Sequence, residues 1–218
     1  MVILYTGTPG SGKSYHATSQ VHNCTKKGIN VIANFFVKLP SKMQNRFYYV
    51  PTEKITVDYL INFSINNHLP NKESQTLLMI DEASILFNSR DYARKDRMEW
   101  IKFFSQHRKM GYDVILITQQ DRSLDRQIRG QIEYNYVHRK LTNFGLKGWI
   151  IRFLIHKQFV CVHIWYQVKE RMDCEYFRIK KHIADSYDTF SMFDDKTRIN
   201  GAQMGDVCEG GPICAPTE

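Results

Sequence analysis

The chain has 218 residues, 43% of them hydrophobic and 24% charged, and a formal net charge of +8 at pH 7. That is ordinary globular composition; a chain this long buries about 70% of its unfolded surface in one domain, so folding requires no disulfide framework or metal staple. Five scattered cysteines (Cys24, Cys161, Cys174, Cys208 and Cys214) exclude a disulfide scaffold and suit a reducing compartment. The surplus of Lys and Arg favours a polyanionic partner. The apolar run at the start reads as a strand and not as a signal peptide, so none is expected. The most apolar long stretch, Trp149 to Tyr166, is broken by Arg152, His156, Lys157, Gln158 and His163, whereas a membrane-spanning helix needs about 20 mostly apolar residues.

The first predicted element is a short buried strand, Val2-Ile3-Leu4-Tyr5, followed by Gly7-Thr8-Pro9-Gly10-Ser11-Gly12-Lys13-Ser14 and a helix-compatible stretch from Ser14 to Lys26. The octapeptide matches the phosphate-binding pattern G-x-x-x-x-G-K-[ST] at every specified position, in the strand–loop–helix context the pattern requires. Glycines let backbone N–H groups curve around an anion, and the helix that follows directs its positive end at the same point. Gly7, Thr8, Pro9, Gly10, Ser11, Gly12, Lys13, Ser14 and Tyr15 form the expected nucleotide-binding set. Lys13 is expected on the β- and γ-phosphates of ATP, and the Ser14 hydroxyl on Mg²⁺.

Gly28 closes that helix, and Asn30 to Phe35 reads as a second strand. Val50-Pro51 reads as a strand ending in a turn, and Thr56 to His68 carries apolar residues at helical spacing. Leu77-Leu78-Met79-Ile80 is a continuous apolar run, as in a parallel strand buried on both faces, and it ends in Asp81-Glu82. Ligands in open parallel sheets bind at the carboxyl ends of strands, so Asp81 is expected to hold Mg²⁺ and Glu82 to act as general base on water. Arg97 to Met110 reads as an amphipathic helix closed by Gly111, and Val114 to Thr118 as another central strand. Gln119, the first residue past that strand, is expected to sense the γ-phosphate or orient water.

Alternating strands and helices predict an α/β fold: a P-loop NTPase with a mostly parallel, doubly wound sheet. Residues 1–133 form its core. Residues 134–199 read as a C-terminal antiparallel β extension of the same domain, built from Tyr134–Leu141, Trp149–Ile155, Phe159–Tyr166 and Cys174–Ile179. Residues 200–218, rich in Gly and Pro, read as a disordered tail. An arginine finger would complete the site; the candidates are Arg90, Arg108, Arg122, Arg126 and Arg129, with Arg108 and the Arg122/Arg126/Arg129 run preferred, and spacing does not choose among them. Basic residues and aromatics interleave through the extension, as in grooves for single-stranded DNA, although aromatics in strands also serve as plain core.

Together, Gly7 to Ser14, Ile80-Asp81-Glu82-Ala83 with Phe87-Asn88-Ser89-Arg90, and Ser105-Gln106-His107-Arg108 through Gln119 resemble the zonula occludens toxin-like (Zot) family. Ser186-Tyr187-Asp188-Thr189-Phe190 is similar to a Tyr-Asp-Thr box of the same family, so the resemblance covers residues 1–192. These are assembly ATPases of filamentous phages, within the FtsK/HerA group of DNA pumps. The resemblance implies a Mg²⁺-dependent ATPase on the cytoplasmic side of the host inner membrane that powers DNA extrusion, with phage coat and export proteins as partners and a homo-oligomeric active form. Carried over by position, it puts Lys13 and Ser14 on phosphate and metal, Asp81 and Glu82 on metal and water, and Gln119 at the sensor. Family members usually continue into a transmembrane helix and a periplasmic segment, neither of which is read in this sequence, and nothing in it supports the name-giving toxin activity. The rival readings are a nucleotide-gated binding module with slow or vestigial hydrolysis, and a P-loop phosphotransferase.

Overall fold

The computed structural model describes residues 1–91, 93–144, 153 and 157–187. Strand β1 (Val2–Thr6) leads through the glycine-rich loop into helix α1 (Lys13–Lys26). Then come β2 (Asn30–Ala33), the single-turn helix α2 (Ser41–Gln44), β3 (Phe47–Tyr49) and α3 (Val57–Asn67). β4 (Thr76–Ile80), a one-turn α4 (Ala83–Leu86), α5 (Arg97–Gln106), β5 (Tyr112–Ile117) and the short α6 (Arg126–Arg129) complete the parallel part. β6 (Tyr134–Lys140), β7 (Phe159–Trp165) and β8 (Glu170–Phe177) follow.

The strands form one sheet in the order β3-β2-β4-β5-β1-β6-β7-β8. Pairing is parallel from β3 to β6 and antiparallel from β6 to β8. β1 is therefore interior, held by β5 on one side and, in register Ile3↔Tyr134 to Thr6↔Val137, by β6 on the other. Successive side chains of a strand point to opposite faces, and here both faces are covered. Val2, Leu4, Leu78, Ile80, Val114 and Leu116 pack with Leu60 and Phe63 of α3 and Trp100, Phe103 and Phe104 of α5. Ile3, Tyr5, Leu77, Met79, Ile115 and Ile117 pack with Ala17 and Val21 of α1 on the other face. That is why the parallel strands read as unbroken apolar runs.

Local differences from the expected elements have local causes. The strand expected at Val50–Pro51 lies at Phe47–Tyr49, because Pro51 has no N–H for a ladder and instead leads into a 3₁₀ turn, Thr52–Lys54. The second strand ends at Ala33, since the Asn34 side chain is engaged with the end of β4. Helix α5 stops at Gln106, and the Gly111 N–H returns to the Arg108 carbonyl at 2.9 Å. The helix expected over Thr56–His68 stands, with the Thr56 hydroxyl accepting from the Tyr59 N–H at 3.1 Å as its N-cap.

Several aromatics of the C-terminal strands are packing residues. Phe159 and Phe177 stack at 5.5 Å, Tyr15 stacks on Phe177 at 5.9 Å, and Tyr5 on Tyr136 at 5.6 Å. Trp165 and Tyr176 stay exposed. Apart from Phe153, the segment Trp149–Ile155 lies outside the described residues, as does the expected tail at 200–218. No helix among the described residues is long and apolar enough to cross a membrane.

Asp125 joins three elements. Its carboxylate accepts from Arg97 Nε at 2.9 Å and from the Gln127 and Ile128 N–H groups at 2.8 and 3.3 Å, while its own N–H donates to the Phe87 carbonyl at 2.9 Å. Burial pushes this carboxyl's pKa up, but the Arg97 guanidinium and the two N–H groups outweigh it and hold it below the usual carboxylate range. Asp125→Ala is expected to destabilise the fold by about 2–3 kcal/mol in urea denaturation, through the lost cap and charged hydrogen bonds. With a folded-state pKa below the unfolded one, the contribution is complete above about pH 4 and vanishes as pH falls through the folded value. The cost of the substitution should shrink correspondingly in acid.

Candidate functional site

The glycine-rich loop is shaped by backbone proximity. At Gly7, with φ 144°, an added Cβ would overlap the His138 carbonyl oxygen of β6, and at Gly12, with φ 94°, it would lie 3.0 Å from the Phe159 ring of β7. The Ser11 N–H donates to the Thr8 carbonyl at 3.1 Å, and α1 begins with the His16 N–H donating to the Gly12 carbonyl at 2.9 Å. Lys13 folds back over this loop, its Nζ donating to the carbonyls of Gly7 at 2.7 Å and Thr8 at 3.2 Å. The buried Ser11 Oγ has no hydrogen-bond partner among the described residues. Burial lowers the Lys13 pKa, against the opposing pull of the Asp81 and Glu82 carboxylates.

Those two acids leave the end of β4. Buried Asn34, just past β2, locks the Asp81 backbone from both sides: its Oδ1 accepts the Asp81 N–H at 2.6 Å and its Nδ2 donates to the Asp81 carbonyl at 2.9 Å. The same amide reaches Thr52 Oγ1 at 2.9 Å. Asp81 Oδ1 accepts the Glu82 N–H at 2.8 Å, and Asp81 Oδ2 accepts the Tyr187 hydroxyl at 3.4 Å. Burial raises the Asp81 pKa, the Glu82 N–H, the Tyr187 hydroxyl and Lys13 lower it, and the Glu82 charge adds to the raising. Glu82 itself is left-handed, with φ 46° and ψ 48°, a conformation that strains a residue bearing a Cβ. Its carboxylate accepts from Ser84 Oγ at 3.2 Å.

Strand order brings three of the expected groups side by side. Since β5 lies between β4 and β1, the Asp81-Glu82 end, the Gln119 end and the loop from Gly7 to Ser14 are neighbours along one sheet edge. At about 4.8 Å between adjacent strands, β4 and β1 end about 10 Å apart. Exposed Gln119 lines an open cleft of about 660 Å³ with Thr6, Gly7, Thr8, Arg122 and Arg139.

Arg108 is not brought to this site. It sits at the opposite edge of the sheet, its Nη2 donating to Glu133 Oε2 at 2.6 Å while Glu133 Oε1 accepts the Val2 N–H at the start of β1. The reason is topological: a residue just before a parallel strand belongs to the strand's N-terminal edge, whereas the phosphate loop is at the C-terminal edge. Arg122 is the preferred finger candidate that does line the cleft. Asn34, Arg139 and Tyr187 join the site without a role there being expected from the sequence. Asn34 carried one legible signal, a polar residue directly after the apolar run Val31-Ile32-Ala33.

The sequence and the fold have counterparts in known proteins. The family model described as zonular occludens toxin (Zot) matches residues 1–193. The chain belongs to the Zot family. Among its relatives, the Gene 1 protein of Enterobacteria phage f1 is 28% identical over 152 residues, covering 66% of this chain and 44% of that protein. The Gene 1 protein of Enterobacteria phage I2-2 is 30% identical over 152 residues, covering 66% and 42%. The match thus spans less than half the length of these relatives. The N-terminal domain of zonular occludens toxin from Neisseria meningitidis has the same fold, with a TM-score of 0.57 at 20% identity over 86% of this chain and 98% of that one. So does the genome packaging NTPase B204 from Sulfolobus turreted icosahedral virus 2 in complex with ATP-gammaS, at TM-score 0.51 and 15% identity over 82% and 98%. The Zot-family chain is an α/β P-loop NTPase fold, mostly parallel, with antiparallel C-terminal strands.

The strain at Glu82 gives a clean test of how this acid is held. Glu82→Gly removes the Cβ from a left-handed position and is expected to raise unfolding stability by about 1 kcal/mol. Glu82→Val, β-branched at the same φ, should lower it, both read from urea midpoints at constant slope.

Proposed function

We propose that this chain binds ATP with Mg²⁺ and hydrolyses it, and that hydrolysis powers DNA extrusion during filamentous phage assembly. The observation that carries the reading is the alignment, on one sheet edge, of the phosphate loop, Gln119 and the Asp81-Glu82 pair. The residues present fit the nucleotide and the metal: two loop glycines leave no room for a Cβ, the buried Ser11 Oγ lacks a partner among the described residues, and Lys13 rests on loop carbonyls within the field of two carboxylates.

In this reading, the loop N–H groups and Lys13 take the phosphates, and Lys13 exchanges its two carbonyl partners for phosphate oxygens. Ser14 and Asp81 hold Mg²⁺, which when bound neutralises phosphate charge. Glu82 takes a proton from the attacking water, and Gln119 orients that water from the neighbouring strand end. Asn34 fixes the Asp81 backbone, so both carboxylates start from a set position. Arg122 and Arg139 line the same cleft, whereas Arg108 is paired with Glu133 at the far end of the strands. The active form is a homo-oligomer on the cytoplasmic side of the host inner membrane, working with phage coat and export proteins and on single-stranded DNA. Family membership and the phage Gene 1 relatives support this assignment of role.

The test is ATP turnover with Mg²⁺, with and without single-stranded DNA, across protein concentrations. Specific activity that rises with concentration and with DNA is the expected result. Lys13→Ala should lose nucleotide binding, and Glu82→Gln should keep binding while turnover falls by about 100-fold or more. Undiminished turnover in Lys13→Ala overturns the mechanism; tight ATP binding with negligible wild-type turnover favours a nucleotide-gated binding module.

A further inference from the structure

Next to the phosphate loop, three buried side chains from three elements converge. His16 comes from the first turn of α1, His138 from β6 and Cys161 from β7; they are 5%, 1% and 0% exposed. One potential ligand atom from each lies within 4.8 Å of the others. The register explains the meeting: His138 pairs with Cys161, and Cys161 pairs with Glu175 of β8, so the three residues form one row across the antiparallel strands. His16 meets that row from the helix, with Nδ1 2.8 Å from His138 Nε2.

We infer that His16, His138 and Cys161 form a site for a soft divalent cation, zinc above all, separate from the Mg²⁺ position at Ser14 and Asp81. Two imidazoles and a thiolate suit zinc and not magnesium, which takes oxygen ligands.

The hydrogen bonds orient the ligands. His138 Nδ1 faces the Thr6 carbonyl at 3.3 Å, so Nδ1 carries the proton and Nε2 presents its lone pair to the cluster. Backbone carbonyls commonly fix metal-binding histidines in this way. His16 Nδ1–H then donates to His138 Nε2, which leaves His16 Nε2 unprotonated at 3.8 Å from the Glu175 carboxylate and 3.4 Å from Gln20 Nε2. The Gln20 amide donates to that lone pair, and the Glu175 carboxylate beside it supplies a negative charge to balance a bound cation. When His16 Nδ1, His138 Nε2 and Cys161 Sγ take the metal, the His16 proton moves to Nε2 and is offered to Glu175. The Cys161 thiol proton leaves to solvent as the metal–sulfur bond forms. Metal–nitrogen bonds of about 2.0–2.1 Å and a metal–sulfur bond of about 2.3 Å require the two imidazoles to part and turn toward a common point and the three ligand atoms, now within 4.8 Å of one another, to draw together around it. The half-exposed Glu175 marks the entry side. Occupancy would pin the helix carrying Lys13 and Ser14 to β6 and β7.

The test is titration of the tag-free, reduced wild-type chain with Co²⁺ in excess Mg²⁺, followed by Zn²⁺ displacement. The expected result is one equivalent per chain, with a thiolate-to-cobalt charge-transfer band and tetrahedral visible bands that zinc abolishes. Cys161→Ser should lose the charge-transfer band and bind at least tenfold more weakly; replacing Cys24, Cys174, Cys208 and Cys214 by serine should leave the band in place. The wild-type spectrum decides even if Cys161→Ser does not fold. No band at saturating cobalt, or a band that survives Cys161→Ser in folded protein, overturns the site and leaves a hydrogen-bonded core cluster.

Discussion

The closeness of Gly7 to the His138 carbonyl is the contact on which the rest of the molecule depends. With no side chain at Gly7, β6 runs beside β1 as far as Thr6↔Val137, to the mouth of the phosphate loop. The loop is thereby seated against the C-terminal strands, with Phe159 against Gly12 and Phe177 against Tyr15 and His16. Any side chain at residue 7 would push β6 away and loosen the loop together with everything stacked upon it.

A second constraint acts along the sheet edge. Strands buried on both faces hold few polar groups along their middles, so the chemistry is displaced to their ends. Asn34, Asp81 and the loop after Thr6 directly follow such strands and Gln119 stands one residue further from its own, which is why four separated segments meet. A left-handed non-glycine residue costs about 1–3 kcal/mol. At Glu82 that cost is borne next to an Asp81 backbone fixed by two hydrogen bonds from Asn34. The strain and its support stand side by side.

What was legible in the sequence follows the same division. Features set by local spacing were readable: the loop, the strand-terminal acids, Gln119, the Thr56-capped helix and the change to antiparallel strands after residue 133. Val50–Pro51 was displaced because the proline acts on the residues before it. Arg108 drew attention through its motif neighbours, yet the order helix-then-strand already places it at the other edge of the sheet. The His16–His138–Cys161 cluster was not legible. Its members are far apart in the chain, and only the β6–β7 register and the packing of α1 bring them together. The Asn34–Asp81 lock is hidden for the same reason, since it rests on β2 and β4 being neighbours.

The contact between Tyr187 and Asp81 ties a late part of the chain back to the site. After β8 the chain crosses α1, where the Lys180 N–H donates to the Tyr15 hydroxyl and Ser186 Oγ meets His22 Nε2, and then reaches the acid pair. The last described residues thus run from the phosphate-loop helix to the acid, like a strap over both halves of the site. One short length of backbone therefore touches both the helix that carries Lys13 and the acid at the end of β4.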